Sequence, residues 1–480
     1  MSSTAPDDRL DSPLLRLIAV ILLGGLLGIL NSTMVAVATD TLARAFSTSL
    51  STIGWTSTGF LLAVTAAIPF TTWAVDRFGG KRLWLSGLAL FLAGSFACGL
   101  AWDVGSLIVF RVVQGVGAGI LDPLVLILLA RAAGPRRAGR VMGLMGLVLS
   151  LGPVLGPIVG GAVLHALPWR WMFLLSMLVG VVALLLALRV VPADPPPEQQ
   201  HHVRLDVIGL ALIGPGFAAL VLALSQAAEH AAFTTWQVLI PLAAGAALLI
   251  GYTVHASHIR RTPPLIDLRL FANRGFTASV TIMALVGLAT FSALFALPLY
   301  YQQMHGHDVL AAGLLMVPVG LGGAIAMPLA GRLSDRLGSR GLTSGGATVA
   351  LLSGLAFTRI GAETPELWPV LASLTMGLGL GFVGAPTMGS LYRTLPAPLV
   401  AQGSSVLYML NQLGAAIGIA VVTLILQTAA DAMAGFHGIY WFAVAMTVVI
   451  LAAIPLLPGR PQPPAVPEEP AMSGRKTRWV

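Results

Sequence analysis

Residues 152–161 read Gly152-Pro153-Val154-Leu155-Gly156-Pro157-Ile158-Val159-Gly160-Gly161, inside an apolar stretch long enough to cross a bilayer. Gly152, Gly156 and Gly160 recur every four residues. On a helix they form one stripe without side chains, along which another helix's backbone can approach. Pro153 and Pro157 remove amide donors and bend the helix, which membrane proteins tolerate where neighbouring helices re-satisfy the backbone. A stripe combined with a bend describes a moving joint; an ordinary small-residue packing face is the blander alternative.

The rest of the chain has the composition that such a helix needs. Hydrophobic residues make up 56% and charged residues 10%, and the mean hydropathy is +0.88, which excludes a soluble globular protein of ordinary composition. The single cysteine, Cys98, excludes an intrachain disulfide framework or a Cys-based metal site. No small-residue cleavage pattern follows the first apolar run, so that run reads as a membrane helix and not as a cleaved signal. The net charge of +8 sits in short clusters between apolar runs, a topological signal and not a nucleic-acid surface.

At about 20 apolar residues per crossing, the sequence predicts fourteen spans. The first six are Leu17–Ala38, Trp55–Val75, Leu83–Ala101, Gly105–Ala130, Val141–Leu164 and Trp171–Leu188. The other eight are Val207–Leu224, Trp236–Val254, Phe276–Leu299, Leu310–Ala330, Leu342–Phe357, Trp368–Gly389, Ser404–Leu426 and Ile439–Leu457. Of the 27 basic residues, Arg44, Arg170 and Arg359 fall on one side and Arg111 within a span. All the others fall on the opposite side, which the positive-inside rule makes cytoplasmic together with both termini. The connections carrying Pro195-Pro196-Pro197 and Arg260-Arg261 are then cytoplasmic too, and the two ends of the chain read as disordered.

A repeat is visible in the loops. Thr72-Trp73-Ala74-Val75-Asp76-Arg77-Phe78-Gly79-Gly80-Lys81-Arg82 returns eight spans later as Gly331-Arg332-Leu333-Ser334-Asp335-Arg336-Leu337-Gly338-Ser339-Arg340. Six spans plus an inserted pair account for the interval. The sequence therefore predicts an all-α polytopic membrane protein. Its parts are a cytoplasmic tail (1–16), a six-helix half (17–191), a linker with two extra helices (192–275), a second six-helix half (276–457) and a terminal tail (458–480). In each turn, a carboxylate at a helix end can accept from a neighbouring helix's N-terminal amides, latching one end of a cleft between the halves. Asp76, Arg77 and Gly79, and Gly331, Asp335, Arg336 and Gly338, are the gate candidates; a simple positive-inside turn with a glycine stop is the alternative.

These residues resemble the major facilitator superfamily, and within it the fourteen-span drug:proton antiporters. The Asp-Arg-x-Gly turns resemble that family's motif between its second and third helices, and Gly152–Gly161 resembles its antiporter motif. Arg111-Val112-Val113-Gln114-Gly115-Val116-Gly117-Ala118-Gly119 resembles the fourth-helix motif, whose Arg has a part in proton transfer, and Trp169-Arg170-Trp171-Met172-Phe173 is also typical. The resemblance implies the major facilitator fold and efflux driven by a proton gradient, with no cofactor. One departure bears on coupling. Where the family's first helix carries Leu-Asp-x-Thr and then Val-Asn-Val-Ala-Leu-Pro, this chain has Leu30-Asn31-Ser32-Thr33-Met34-Val35-Ala36-Val37-Ala38-Thr39-Asp40. The embedded acid has become Asn31. In the first turn motif, Thr72 replaces a glycine and Gly80 a basic residue.

An ionisable residue inside a span is costly and marks a functional candidate. Arg111 and Asp122 share one predicted span, 11 residues apart and so on one face at roughly 16 Å separation. Asn31 lies at a depth similar to that of Arg111, which makes the two prospective neighbours. Asp122 is the candidate to take over the missing acid's work, binding a proton or a lipophilic cation; a helix cap before Pro123 is the structural alternative. Asp40 near the outer mouth is either a proton entry point or a solvated surface acid. Arg111 can equally be a buried Arg satisfied by carbonyls and Gln114. Softer cavity candidates are Asn31, Gln114, Gln226, Tyr301, Gln302, Tyr408, Asn411 and Gln412, with side chains that suit flat amphiphiles.

His305-x-His307-Asp308 reads as a solvated outer loop, so no metal site is expected. The sequence has no hydrolase nucleophile motif and no Gly-x-x-x-x-Gly-Lys-Ser/Thr phosphate loop, so it reads as neither an enzyme nor an ATP-driven pump. The expected protein is a monomeric multidrug exporter of a bacterial cytoplasmic membrane, whose partners are amphipathic substrates, protons and the lipid bilayer. A dedicated exporter of one metabolite or lipid, or a non-transporting scaffold of the same fold, are the alternatives.

Overall fold

In a computed structural model, the structure describes residues 11–194, 204–230, 232–259, 262–361 and 364–458. The Pro195–Pro197 run, Arg260-Arg261 and most of both predicted tails lie outside the described residues. Those described form helices and no strands. In chain order the helices are α1 (Ser12–Val37), α2 (Thr39–Ala45), α3 (Leu50–Phe78), α4 (Gly80–Gly99), α5 (Val104–Ala166), α6 (Arg170–Val190), α7 (Val207–His230) and α8 (Trp236–His258). There follow α9 (Arg274–His305), α10 (Val309–Leu314), α11 (Val317–Leu337), α12 (Ser339–Phe357), α13 (Leu367–Thr394), α14 (Val400–Thr428) and α15 (Ala432–Ala453).

The 63 residues of α5 are two spans, not one. Gly134, with φ 65° and ψ 172°, breaks the helical path and separates the arms Val104–Gly134 and Arg137–Ala166. Thirteen described stretches are long and apolar enough to cross a membrane. The fourteenth predicted span is α12, whose Ser, Thr and Gly content keeps it below that threshold. Its small residues pay for themselves in packing: Gly346 and Ala350 are buried, and α12 lies against α13 and α15.

Both termini of the described chain reach one end of the bundle, here the terminal face. Asp11 is 4.0 Å from Arg137, and Arg340 donates to the carbonyls of Leu457 (2.7 Å) and Pro455 (2.6 Å). Helices α1, α3, α4 and α6 gather around α5, while α11, α12, α13, α14, α15 and α9 form the second half. The inserted pair pack on each other, and α7 also touches α3 and α14, one helix from each half. Its bonds to α3 are polar, with Ser51 donating to Glu229 (2.5 Å) and Thr58 paired with Ser225 (3.3 Å). Its contact with α14 is apolar, through Ala223, Ala227 and Ala420.

The glycines of the second arm of α5 divide between two neighbours. The stripe quoted at the outset faces α1: a Cβ on Gly152 would lie 2.7 Å from Ile29, and one on Gly160 3.2 Å from the backbone of Met34. A second small-residue row, Gly139, Gly143, Gly146 and Ser150, faces α11 in the other half. There a Cβ on Gly331 would sit 3.0 Å from Cα of Gly143 and closer still to the Gly139 carbonyl. Such contacts supply dispersion and close approach where lipid offers no hydrophobic drive. Gly331→Val is expected to lower stability in detergent by about 1–3 kcal/mol through overpacking. Gly345→Ala, with open space around it, is expected to raise it by roughly 0.5–1 kcal/mol. Thermal unfolding of the two variants checks both signs.

Candidate functional site

The two Asp-Arg-x-Gly turns lie at the terminal face, and the second copy bonds across to the first half. Asp335, near the end of α11, accepts from the amides of Gly139 and Arg140, both at 3.0 Å. These are orphan donors of the first turn of the second α5 arm, where the helix dipole also favours a negative charge. Arg393, from the end of α13, donates to Asp335 at 3.0 Å and to Ser339 at 2.7 Å. Asp335 and Arg393 side chains are only 8% and 15% exposed, so solvent screens this pair little. Arg336 is exposed.

The first copy is built differently. Asp76 pairs with Arg131 of its own half at 2.8 Å, both side chains 39% exposed. The bond between halves comes instead from Thr72, whose hydroxyl donates to Ser405 of α14 at 2.7 Å. Thr72 stands where the second copy has Gly331, so a side-chain bond replaces a backbone approach. Both turns do share their stop: Gly79 and Gly338 have φ of 89° and 86°, a region that favours glycine. The amides of Lys81 and Arg82 beyond Gly79 are capped by Asp194, at 2.8 and 2.9 Å.

Midway through the bundle lies a cavity of about 210 Å³ lined by both halves. Small-molecule sites typically hold roughly 300–1,000 Å³, and this one is narrow because the halves close around it. Val154 and Ile158 of α5 meet Met316, which precedes α11, and Val319 of α11 toward the far face, while Asp335 bonds across the halves at the terminal face. Its walls are mostly apolar, including Phe60, Phe291, Met283, Met327 and Met376. Among the described residues, Asp122 is the only Asp, Glu, Lys, Arg or His in the lining. Tyr408, Asn411 and Gln412 of α14 line the same cavity as Asp122. The Asn411 amide is already engaged with the Met283 carbonyl at 2.8 Å.

The other candidates lie elsewhere. Arg111, Asn31 and Gln114 are fully buried but do not line the cavity. They form one cluster: Arg111 donates to Asn31 and Gln114, both at 2.6 Å, and to the Thr56 carbonyl at 3.1 Å. Its guanidinium also lies 4.1 Å from the centre of the Phe60 ring. Asn31 passes the chain on to Ser176 (3.1 Å) and Gln114 to Ser95 (2.6 Å). The predicted neighbourhood of Arg111 and Asn31 is thus a hydrogen bond, placed outside the cavity. Tyr301 is buried in an aromatic cluster with Tyr300, His305 and Phe436, Gln302 lies beyond the cavity lining, and Gln226 bonds Glu229 at the surface. Asp40 is exposed on a shallow surface dip beside Arg44.

His307 and His305 approach Glu366 at 2.6 and 3.9 Å, and the described residues contain no cluster that could hold a metal ion. At the N-terminus of α5, Asp103 caps the helix through the Ser106 amide at 2.6 Å. The Ser106 amide and hydroxyl hold its carboxyl below the usual carboxylate range.

Sequence reasoning missed Arg393, Asp194 and the Thr72–Ser405 bond. The first had been absorbed into the count of positive loops, and the other two pair positions far apart in the chain. The row Gly139, Gly143, Gly146 was legible as i, i+4 and i+7 spacing.

The Major Facilitator Superfamily family profile matches residues 21–419, and this chain belongs to that superfamily. It is similar to a "Multidrug resistance protein B homolog" of Mycobacterium tuberculosis, 37% identical over 422 residues that cover 87% of this chain and 77% of the relative. A "Lincomycin resistance protein LmrB" of Listeria innocua is 28% identical over 411 residues, 86% of each chain. Among solved structures, the human organic anion transporter MFSD10 (TETRAN) aligns with a TM-score of 0.64 at 16% identity, covering 94% of this chain and 100% of that one. The proton:xylose symporter XylE aligns with a TM-score of 0.65 at 15% identity, covering 91% and 94%. These likenesses show the fold. The protein is a multi-pass membrane transporter and not an enzyme.

The Arg111 cluster predicts an asymmetry at position 31. Asn31→Leu strips a hydrogen bond from a buried cation and is expected to cost about 1.5–3 kcal/mol. Asn31→Asp keeps the acceptor and supplies a countercharge, and is expected to retain parental stability or exceed it. Thermal unfolding of both variants in one detergent reads the difference.

Proposed function

We propose that this chain is a drug:proton antiporter of the fourteen-span type. It exports amphipathic compounds from a bacterial cytoplasm by alternating access between its two six-helix halves. The observation that carries this reading is the cavity between the halves, apolar and Met-rich, with Asp122 the single carboxylate among the described residues that line it. The relatives' names support drugs as cargo. In this reading the basic residues clustered at the terminal face put that face in the cytoplasm, the Asp335 latch closes the inner end, and the chain is a monomer.

Exchange needs one group that two ligands compete for. In this reading Asp122 is that group, taking a proton or a lipophilic cation in turn. The first-helix position cannot serve, because Asn31 has no proton to exchange and is committed to Arg111. Arg111 then acts as a strut joining α1, α3 and α5, and the proton gradient is the sole energy source. The second α5 arm, gripped by α1 on one side and by α11 on the other, is the joint along which the halves part.

Ethidium efflux from cells expressing the chain tests the reading. Efflux abolished by an uncoupler, and reduced at least tenfold by Asp122→Asn at equal expression, is the expected result. Efflux that survives the substitution would return Asp122 to a capping role before Pro123. No efflux by the parent would favour a dedicated exporter of one metabolite.

A further inference from the structure

Phe60 of α3 lines the cavity, and the centre of its ring lies 4.1 Å from the guanidinium carbon of Arg111. Arg111 itself is fully buried and is not part of the lining. A positive charge therefore stands behind one aromatic side chain of the cavity wall. Close packing holds the two in register. The Thr56 carbonyl, one turn before Phe60 on α3, accepts a hydrogen bond from Arg111 Nε at 3.1 Å, and a Cβ on Gly115 would stand 2.5 Å from the Phe60 carbonyl. Arg111 also lies on the cavity side of its helix. Ala118 and Asp122, seven and eleven residues further on, are both in the lining, and those intervals return to the same face within about 20°. The guanidinium is not saturated: Nε and Nη1 are engaged, but Nη2 is buried without a hydrogen-bond partner among the described residues. A cation with an unused donor has the chemistry to hold an anion, and the Phe60 ring bars the way to it.

We infer that Phe60 is a specificity-determining residue: its ring keeps Arg111 out of reach of the cavity's contents and so fixes a preference for cations over anions. An ion that leaves water for an apolar cavity needs partners that replace its hydration. With the ring in place, the charged partner in the described lining is Asp122, which suits a flat apolar cation. An anion of the same shape finds no charged donor. With the ring removed, Nη2 of Arg111 faces the cavity, and the same space accepts an aryl sulfonate or carboxylate. The inference rests on the cavity being the substrate site, as proposed above, and names the charge class that the site selects.

The test measures binding of naphthyltrimethylammonium and naphthalenesulfonate, flat aryl ions of similar size and opposite charge, to the purified full-length chain in lipid nanodiscs. Equilibrium dialysis against protein-free nanodiscs supplies the blank. The parent is expected to bind the ammonium at least tenfold more tightly than the sulfonate. In Phe60→Ala the ratio of the two affinities is expected to shift at least tenfold toward the sulfonate, and Phe60→Val, which removes less volume, gives the same reading should the alanine variant fail to fold. An equal gain for both ions signals added room and overturns the inference, as does an unchanged ratio or a parent that binds both ions alike; each of these spares the proposed function. No binding of the ammonium to the parent overturns the inference, and no ethidium efflux by that parent overturns the proposed function as well.

Discussion

The strongest polar tie between the two halves is a carboxylate set against the start of a helix. Asp335 places two oxygens on the first free amides of the second α5 arm, and Arg393 neutralises it from α13. Each charge-assisted bond of this kind contributes roughly 1.5–3 kcal/mol, and burial protects it from screening by salt. In the proposed alternating-access cycle, a latch of that strength is firm enough to hold one state and weak enough to be released by a ligand with comparable preference for the other. The glycine rows beside it make the release local. With Gly139, Gly143 and Gly331 at the crossing, no interlocked side chains have to unthread before the backbones separate.

Charge is scarce in this chain, and where it occurs it has been given work. Asp103, Asp308 and Asp431 cap helices at the far face and Asp194 and Asp335 cap helices at the terminal face. Arg111 is the exception, a buried cation held only by neutral acceptors and a phenyl face. A protonatable partner at position 31 would make that cluster part of a proton path; Asn31 makes it a brace. The single acid left facing the cavity is Asp122, and the economy of the site follows from that. One carboxylate can hold a proton or a cation but not both, which is sufficient for exchange.

Much of this was legible before any coordinates. Hydropathy marks the apolar crossings because the bilayer allows only helices with internally satisfied backbones, and thirteen described stretches meet that measure where fourteen were expected. The repeated Asp-Arg-x-Gly turn marked the place of Asp335, and the chemistry expected there, a carboxylate on a neighbouring helix's amides, is what Asp335 does. The same reasoning applied to Asp76 placed the acid but not its partner, because Arg131 lies one long helix away and Thr72 takes over the bond between halves. Three of the eight cavity candidates, Tyr408, Asn411 and Gln412, line the cavity, and the others lie elsewhere for a similar reason. Polar residues on helices face either a cleft or each other, and periodicity alone does not separate Gln114, turned toward Arg111 and Ser95, from Gln412, turned toward open space.

The claim at the centre of this account is that a proton moves against substrate although the first helix has lost its acid. Proteoliposomes containing the purified chain, loaded with a pH-sensitive dye and given an inward ethidium gradient with no initial pH difference, test it directly. The account predicts that ethidium entry drives protons outward, so that the lumen becomes alkaline with the full-length chain and stays unchanged with Asp122→Asn. Ethidium entry at full rate with no change in lumenal pH would contradict it.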